Sequence, residues 1–346
     1  MGHASDRTLA ERFRSQLLTG PPAVSGLDVV ERLLAVQAQD LRGARLALRA
    51  RSEGVFASDI DRALTQDRSL VVSWLNRGTL HLVRSEDYPM LQALTAPAQV
   101  TGNERRLRQE SVSPDQAEEA LRVIQRALAN QGPLVRKDLG RRLADAGIPT
   151  AGQALVHLLM YASLRGAIVR GPVVGSEQAF VLVEDWLGSQ PPLDRGEALA
   201  MLARRYLAGH GPATSRDLAK WAGLPLRDAR AGVSAIEDDL VEGPDGTLAC
   251  GVFDEVADAP SPRLLGAFEP LLLGWESREP VVGHLAPGLI TNNGVFRAFA
   301  LVGGRAAATW RLDRGRVVIE PLVRIDARTR AALDAEAEEV LRFLGG

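Results

Sequence analysis

Gly132-Pro133-Leu134-Val135-Arg136-Lys137-Asp138-Leu139 and Gly211-Pro212-Ala213-Thr214-Ser215-Arg216-Asp217-Leu218 match one another in register. Each follows a long helical pattern, residues 114–130 with Ser113 as cap in one case and residues 196–208 in the other, and each leads into two further helical patterns. The period then drops from about 3.6 to about 2. Short strands are expected over residues 167–170 and 179–183 after the first copy, and over 240–242 and 247–253 after the second. Three helices closed by a β-hairpin describe a winged helix-turn-helix. A less regular version is expected in the N-terminal third, where Ser58-Asp59-Ile60-Asp61 caps a helix, residues 69–75 give another and residues 78–83 read as a strand. From Pro262 the texture turns to β: residues 296–302 and 306–312 flank Gly303-Gly304, and 316–321 follow Asp313-Arg314-Gly315, which is a meander. A last helix over 328–344 is expected to cap that sheet. The expected fold class is α+β, with tandem winged helix-turn-helix units over 1–110, 111–190 and 191–258 and a β-rich subdomain over 259–346.

A chain of 346 residues, 46% apolar and 24% charged, carries enough apolar surface for a packed core, which excludes disordered, collagen-like and coiled-coil classes. Its first twenty residues hold no continuous apolar segment, and the longest near-apolar run, 154–162, is interrupted by His157 and far too short to span a bilayer. A soluble, cytoplasmic protein with no membrane partner is expected. One cysteine, Cys250, excludes internal disulfides, and the five histidines lie far apart without ligand spacing, so neither a metal nor another cofactor is expected. Three tandem units have no evident need to dimerise, so a monomer is expected. The net charge of −2 is unevenly spread: +2 to Glu110, +3 from Ser111 to Gly232 and −7 beyond. A mildly basic front two thirds with an acidic tail permits a local polyanion surface. Tandem winged helices usually bind nucleic acid, but the fold also serves as a protein-interaction module.

The segment most informative about chemistry is Leu34-Ala35-Val36-Gln37-Ala38-Gln39-Asp40. Ser25-Gly26-Leu27-Asp28 has capping-box spacing, and Val30, Leu33 and Leu34 give the apolar face of the second helix. If that helix runs on, Gln37 falls on its apolar face and points almost opposite to Gln39. Asp40 reads as the N-cap of a third helix carried by Leu41, Ala44 and Leu48, in which case the chain leaves helical geometry around Ala38 and the amides can converge. From spacing alone two roles stay open for them: tying the turn to neighbouring backbone, or acting together on a ligand. Arg42, Arg45 and Arg49 then form an i, i+3, i+7 stripe with Arg51 beyond, either placed for phosphates or a solvated face paired with acids elsewhere. Arg136, Lys137, Arg141 and Arg142 form a second basic cluster at the start of the first repeat's helix-turn-helix.

Gln37-Ala38-Gln39 resembles the hallmark of the AlkZ-type winged-helix DNA glycosylases, a Gln-hydrophobic-Gln motif after the second helix that is Gln-hydrophobic-Asp in the YcaQ branch. The resemblance extends through the arginine-rich helix of residues 41–51 and Trp74-Leu75-Asn76-Arg77-Gly78-Thr79-Leu80-His81-Leu82-Val83. It also covers Phe268-Glu269-Pro270-Leu271, Thr309-Trp310-Arg311 and Ile319-Glu320-Pro321, and so spans essentially the whole chain. It implies hydrolytic removal of alkylated purines from double-stranded DNA, especially N7-alkylguanines including bulky or cross-linking adducts, in bacterial DNA repair or self-resistance to a DNA-alkylating antibiotic. Gln37 and Gln39 are then the catalytic pair. Arg42, Arg45, Arg49, Arg77, His81, Arg136 and Lys137 are candidates for contact with DNA. A glutamine amide has no useful basicity, so the pair can only orient a water and stabilise charge, which suffices for a leaving group that is already cationic. With no lysine near the motif, Schiff-base chemistry is not expected and the product is an abasic site. Aromatic residues make up 5% of the chain and none flanks the motif, which favours reaching a bulky adduct in a groove over flipping it into a stacking pocket. The alternatives are a non-catalytic winged-helix DNA-binding protein, either a regulator or a lesion binder, and a protein-interaction scaffold without salt-dependent affinity for DNA.

Overall fold

The computed structural model describes residues 2–175, 177–189, 192–243, 245–251 and 259–345. Val252 and Phe253, expected at the end of the second copy's strand, lie outside them. No helix among the described residues is long and apolar enough to cross a membrane. The chain divides into two compact units: residues 1–60, 196–221 and 225–346 form one, and 61–195 with 222–224 form the other.

In the first unit the helix Gly26–Leu33 begins where Ser25 Oγ accepts the Asp28 N–H at 3.1 Å. It ends at Leu34, whose φ of 64° is incompatible with another helical turn. The short strand Val36–Gln37 follows, and the helix Leu41–Arg49 starts where Asp40 accepts the Arg42 N–H at 3.0 Å. That helix crosses the segment after the strand Arg263–Leu265 at backbone contact: a Cβ on Gly43 would stand 2.4 Å from the Ala267 oxygen, and one on Gly266 would stand 2.7 Å from the Gly43 oxygen. Only glycine permits that approach. The expected meander is present with one strand more than foreseen: Arg316–Pro321, Arg305–Asp313, Phe299–Val302 and Arg263–Leu265 lie side by side, all antiparallel. Gly303 and Gly304, at φ 55° and 76°, make the two-residue turn between Val302 and Arg305, the pair that closes that hairpin, where left-handed backbone matches strand twist. The terminal helix Ala327–Gly345 buries Leu333, Val340 and Phe343.

The second repeat belongs mainly to this unit as the helices Arg195–His210, Ser215–Ala222 and Leu226–Ser234, closed by the hairpin of Val241–Glu242 with Leu248–Ala249. The first repeat belongs to the second unit as Pro114–Gln131, Arg136–Asp145 and Ala154–Leu164, closed by Ile168–Val174 with Glu177–Leu182. Both copies are joined to their hairpins at the same repeat position. Leu134 exchanges backbone hydrogen bonds with Phe180 at 3.2 and 2.8 Å, and Ala213 does so with Leu248 at 2.9 and 2.8 Å.

One expected helix is a strand. Residues 69–75 contain Leu70–Trp74, which pairs antiparallel with Leu80–Arg84 through five residue pairs from Leu70↔Arg84 to Trp74↔Leu80. All of Leu70–Trp74 is buried. A short apolar run buried on both faces has no amphipathic period to read, and the β-branched pair Val71-Val72 then decides for strand. In the second unit the strands lie in the order Leu80–Arg84, Leu70–Trp74, Ile168–Val174, Glu177–Leu182, joined through Val72↔Arg170. The first repeat's hairpin therefore continues the sheet begun by the N-terminal hairpin.

Candidate functional site

Gln37 does not stand on a helix face. The second helix stops at Leu33, four residues before Gln37, and Val36–Gln37 is extended. On a helix, residues two apart diverge by about 200°, whereas in an extended segment they return to the same side. Gln37 is buried at 7% exposure, and Gln39 and Asp40 are exposed. The motif thus runs from the core of the first unit to its surface, with one amide at each level. Asp40 spends its carboxylate on the helix that follows, accepting the Arg42 N–H.

The arginine stripe splits by burial. Arg42 is exposed and Arg45 half-buried, while Arg49, expected among the phosphate contacts, is buried. It donates to Glu336 at 2.8 Å and to the Leu264 carbonyl at 3.0 Å. Its guanidinium ties the motif's helix to the C-terminal helix and sheet: i and i+7 share nearly one face, but Arg49 stands at the far end of the helix, where that face is covered. Burial pushes the Glu336 carboxyl up, but Arg49, Arg263 at 2.9 Å and the Leu264 N–H outweigh that and hold it below the usual carboxylate range. Arg51 is fully buried too. It donates to Glu269 Oε1 at 2.5 Å, to the backbone and side-chain oxygens of Gln16 at 2.8 Å each, and to the Ala47 carbonyl at 2.9 Å. Glu269 is itself fully buried and also caps Leu271 N at 3.3 Å. Both residues lie in the family-like stretches of the sequence, but nothing in a linear pattern pairs positions this far apart.

In the second unit His81 is 1% exposed, so it is a core residue and not a surface contact. Its strand pairs through all five residues with the buried strand Leu70–Trp74, and its Nδ1–H donates to the Thr79 carbonyl at 3.0 Å. Burial and the nearby Arg77 charge push its pKa down to about 3. The imidazole is therefore neutral in the fold but charged in the unfolded chain below about pH 6.5. A depressed base stabilises the fold above its unfolded value and loses that contribution as pH falls toward the folded value. Between pH 6.5 and 3 the unfolding free energy should drop by about 1.4 kcal/mol per pH unit from this group, and His81→Gln should flatten the profile in denaturant titrations at stepped pH. Arg77 is half-buried in the turn between the two strands, at φ 56°. Beside it Asn76 is fully buried with neither amide atom hydrogen-bonded. Arg136 and Lys137 are exposed at the start of their helix. Arg141 pairs with Asp138 and Arg142 with Gln131 at 2.6 Å. Among the described residues no three acidic, histidine or cysteine side chains gather as a metal site.

The family model for DNA glycosylase AlkZ-like proteins matches residues 30–343, and the chain belongs to that family and is a DNA glycosylase. It is 28% identical to an interstrand DNA cross-link repair glycosylase of Streptomyces sahachiroi, over 98% of this chain and 96% of that protein. It also superimposes on the solved structure of Streptomyces sahachiroi DNA glycosylase AlkZ with a TM-score of 0.81 at 25% identity, covering 99% of this chain and 97% of that one.

Proposed function

We propose that this enzyme hydrolyses the N-glycosidic bond of N7-alkylated guanine in double-stranded DNA, bulky and cross-linking adducts included, in alkylation repair or self-resistance to a DNA-alkylating natural product. The observation that carries the reading is the placement of Gln37 and Gln39: two amides in the non-helical crossover between capped helices, one buried at the end of the short strand and one at the surface in the bend that follows. In this reading Gln37 and Gln39 hold a water against C1′ of the damaged nucleotide and stabilise charge there. Water oxygen bonds to C1′, the C1′–N9 bond breaks with its electron pair passing to the base, and the water keeps one proton as the new C1′ hydroxyl and releases the other to solvent. An N7-alkylguanine starts cationic and so departs neutral, needing no general acid. A neutral purine needs one, and an amide pair supplies none. Selectivity for cationic lesions follows from the side chains themselves.

Each repeat is read as a winged helix-turn-helix, with Arg42, Arg45, Arg77, Arg136 and Lys137 placed for the DNA backbone. Arg49 and His81 support the scaffold. The two lysines, Lys137 and Lys220, are remote in sequence from the motif, so the product is an intact abasic site. The experiment is release of free base from duplex DNA carrying N7-methylguanine or a bulkier N7 adduct, with a neutral damaged purine as control. Release of the N7-alkylated bases with the control retained is the expected result. No release from either adduct with duplex still bound would replace the hydrolase reading by one of lesion binding.

A further inference from the structure

We propose that Arg170, backed by Trp74 and Phe180 and facing Arg136, is a built phosphodiester-binding site on the second unit that grips the DNA backbone. Arg170 sits in mid-sheet, paired with Val72 on one side and Phe180 on the other. Trp74 lies two residues from Val72 and therefore on the same face. Its ring stacks on that of Phe180 at 6.5 Å between centroids and 13° between planes. The Arg170 Cζ lies 4.8 Å from the Trp74 centroid and 5.0 Å from that of Phe180. Both rings lie within cation–π reach of the guanidinium, so the aromatic pair backs the charge, and the planar fork of an arginine, which lysine lacks, can serve a ligand.

No hydrogen bond or ion pair compensates that charge among the described residues, and Arg170 Nε is buried without a partner. The nearest charge acting on it has the same sign. The bridge of Leu134 to Phe180 brings the first repeat's helix start, and with it Arg136, to the side of the sheet where Arg170 stands. Burial first, and Arg136 second, push the Arg170 pKa down to about 10, so Arg170 remains a cation at neutral pH. Arg136 is exposed. Two adjacent guanidiniums, one half-buried and rigidly backed and one at the surface, lack the anion that a protein interior normally supplies to a buried charge. A phosphodiester provides it, with bidentate geometry matched to the fork. In the sequence, Arg170 is one arginine in a strand and carries no signal. The site exists because the two hairpins share a sheet.

This inference rests on the DNA substrate proposed above. The test is the salt dependence of binding to undamaged duplex, measured on the full chain with circular dichroism confirming the fold of each variant. Arg170→Gln and Arg136→Gln should each weaken binding about tenfold and lower the slope of log K against log salt by about 0.9. Arg170→Lys should retain the native slope with weaker binding, because it keeps the charge and loses the planar fork. If Arg170→Gln does not fold, Arg136→Gln and Arg170→Lys carry the test. Native affinity and native slope in folded Arg136→Gln and Arg170→Gln, or native affinity in Arg170→Lys, would overturn the site. Base release by the native chain with unchanged slopes in the variants refutes this site alone. Duplex binding without base release refutes the hydrolase and leaves the site standing, and failure of the native chain to bind duplex refutes both.

Discussion

Gln37→Ala/Gln39→Ala loses base release by about 10²–10⁴-fold while duplex binding stays within a few fold of native. The magnitude is that of removing preorganised hydrogen bonds from a site where charge develops. Binding survives because it draws on arginines elsewhere. Alanine at either position leaves both helix caps untouched, since Ser25 and Asp40 make them, so a folded, inactive variant is the expected product. Single-turnover release from N7-methylguanine duplex measures the loss. Retention of more than a tenth of native activity would remove the amide pair from the mechanism. Gln39→Asp sharpens the same point. A carboxylate accepts a proton where an amide cannot, so this variant should remain active and acquire an acidic limb in its pH–rate profile that the native enzyme lacks.

Glu269→Ala destabilises the first unit by about 3–5 kcal/mol, the largest stability effect expected from a single side chain in this fold. It strands the Arg51 guanidinium at zero exposure with only carbonyl and amide oxygens for company. Arg51→Met is milder, because it removes the cation itself and fills part of its volume with an apolar side chain. The double variant Arg51→Met/Glu269→Leu replaces both charges by apolar groups of similar length and should recover most of the loss, since a buried pair contributes little net stability against a well-packed apolar substitute. Denaturant midpoints of the three variants give the order directly. A Glu269→Ala protein as stable as native would mean that the pair is not closed in solution. The variant bears on activity as well. Arg51 ends the helix that begins at Asp40, so loosening it loosens the crossover holding Gln37 and Gln39.

Much of this was legible in the linear pattern. Ser25 and Asp40 cap the helices they were expected to cap, and the repeat from Gly132 and its copy from Gly211 each become three helices and a hairpin. The reason is range: caps, turns and periodicity depend on neighbours within about four residues. The Gln-Ala-Gln motif could be found because it too is local. Its conformation could not, since Leu34 at positive φ interrupts a helical pattern that Leu33, Leu34 and Gln37 would otherwise extend. Residues 69–75 failed for a related reason: burial on both faces erases the amphipathic signal that separates strand from helix.

Tertiary structure alone decided what each cation does. Arg42 and Arg49 are indistinguishable in the sequence as members of one stripe, yet one is exposed and the other is bonded to Glu336. His81 and Arg170 look like ordinary strand residues. One proves to be a sealed neutral imidazole, and the other a cation beside two rings with no counter-charge among the described residues. The sequence by itself determined the family, the repeats and the position of the amide pair. Which charges are compensated depended on partners tens to hundreds of residues away, because desolvation and pairing are set by the surfaces that packing brings together and not by spacing along the chain.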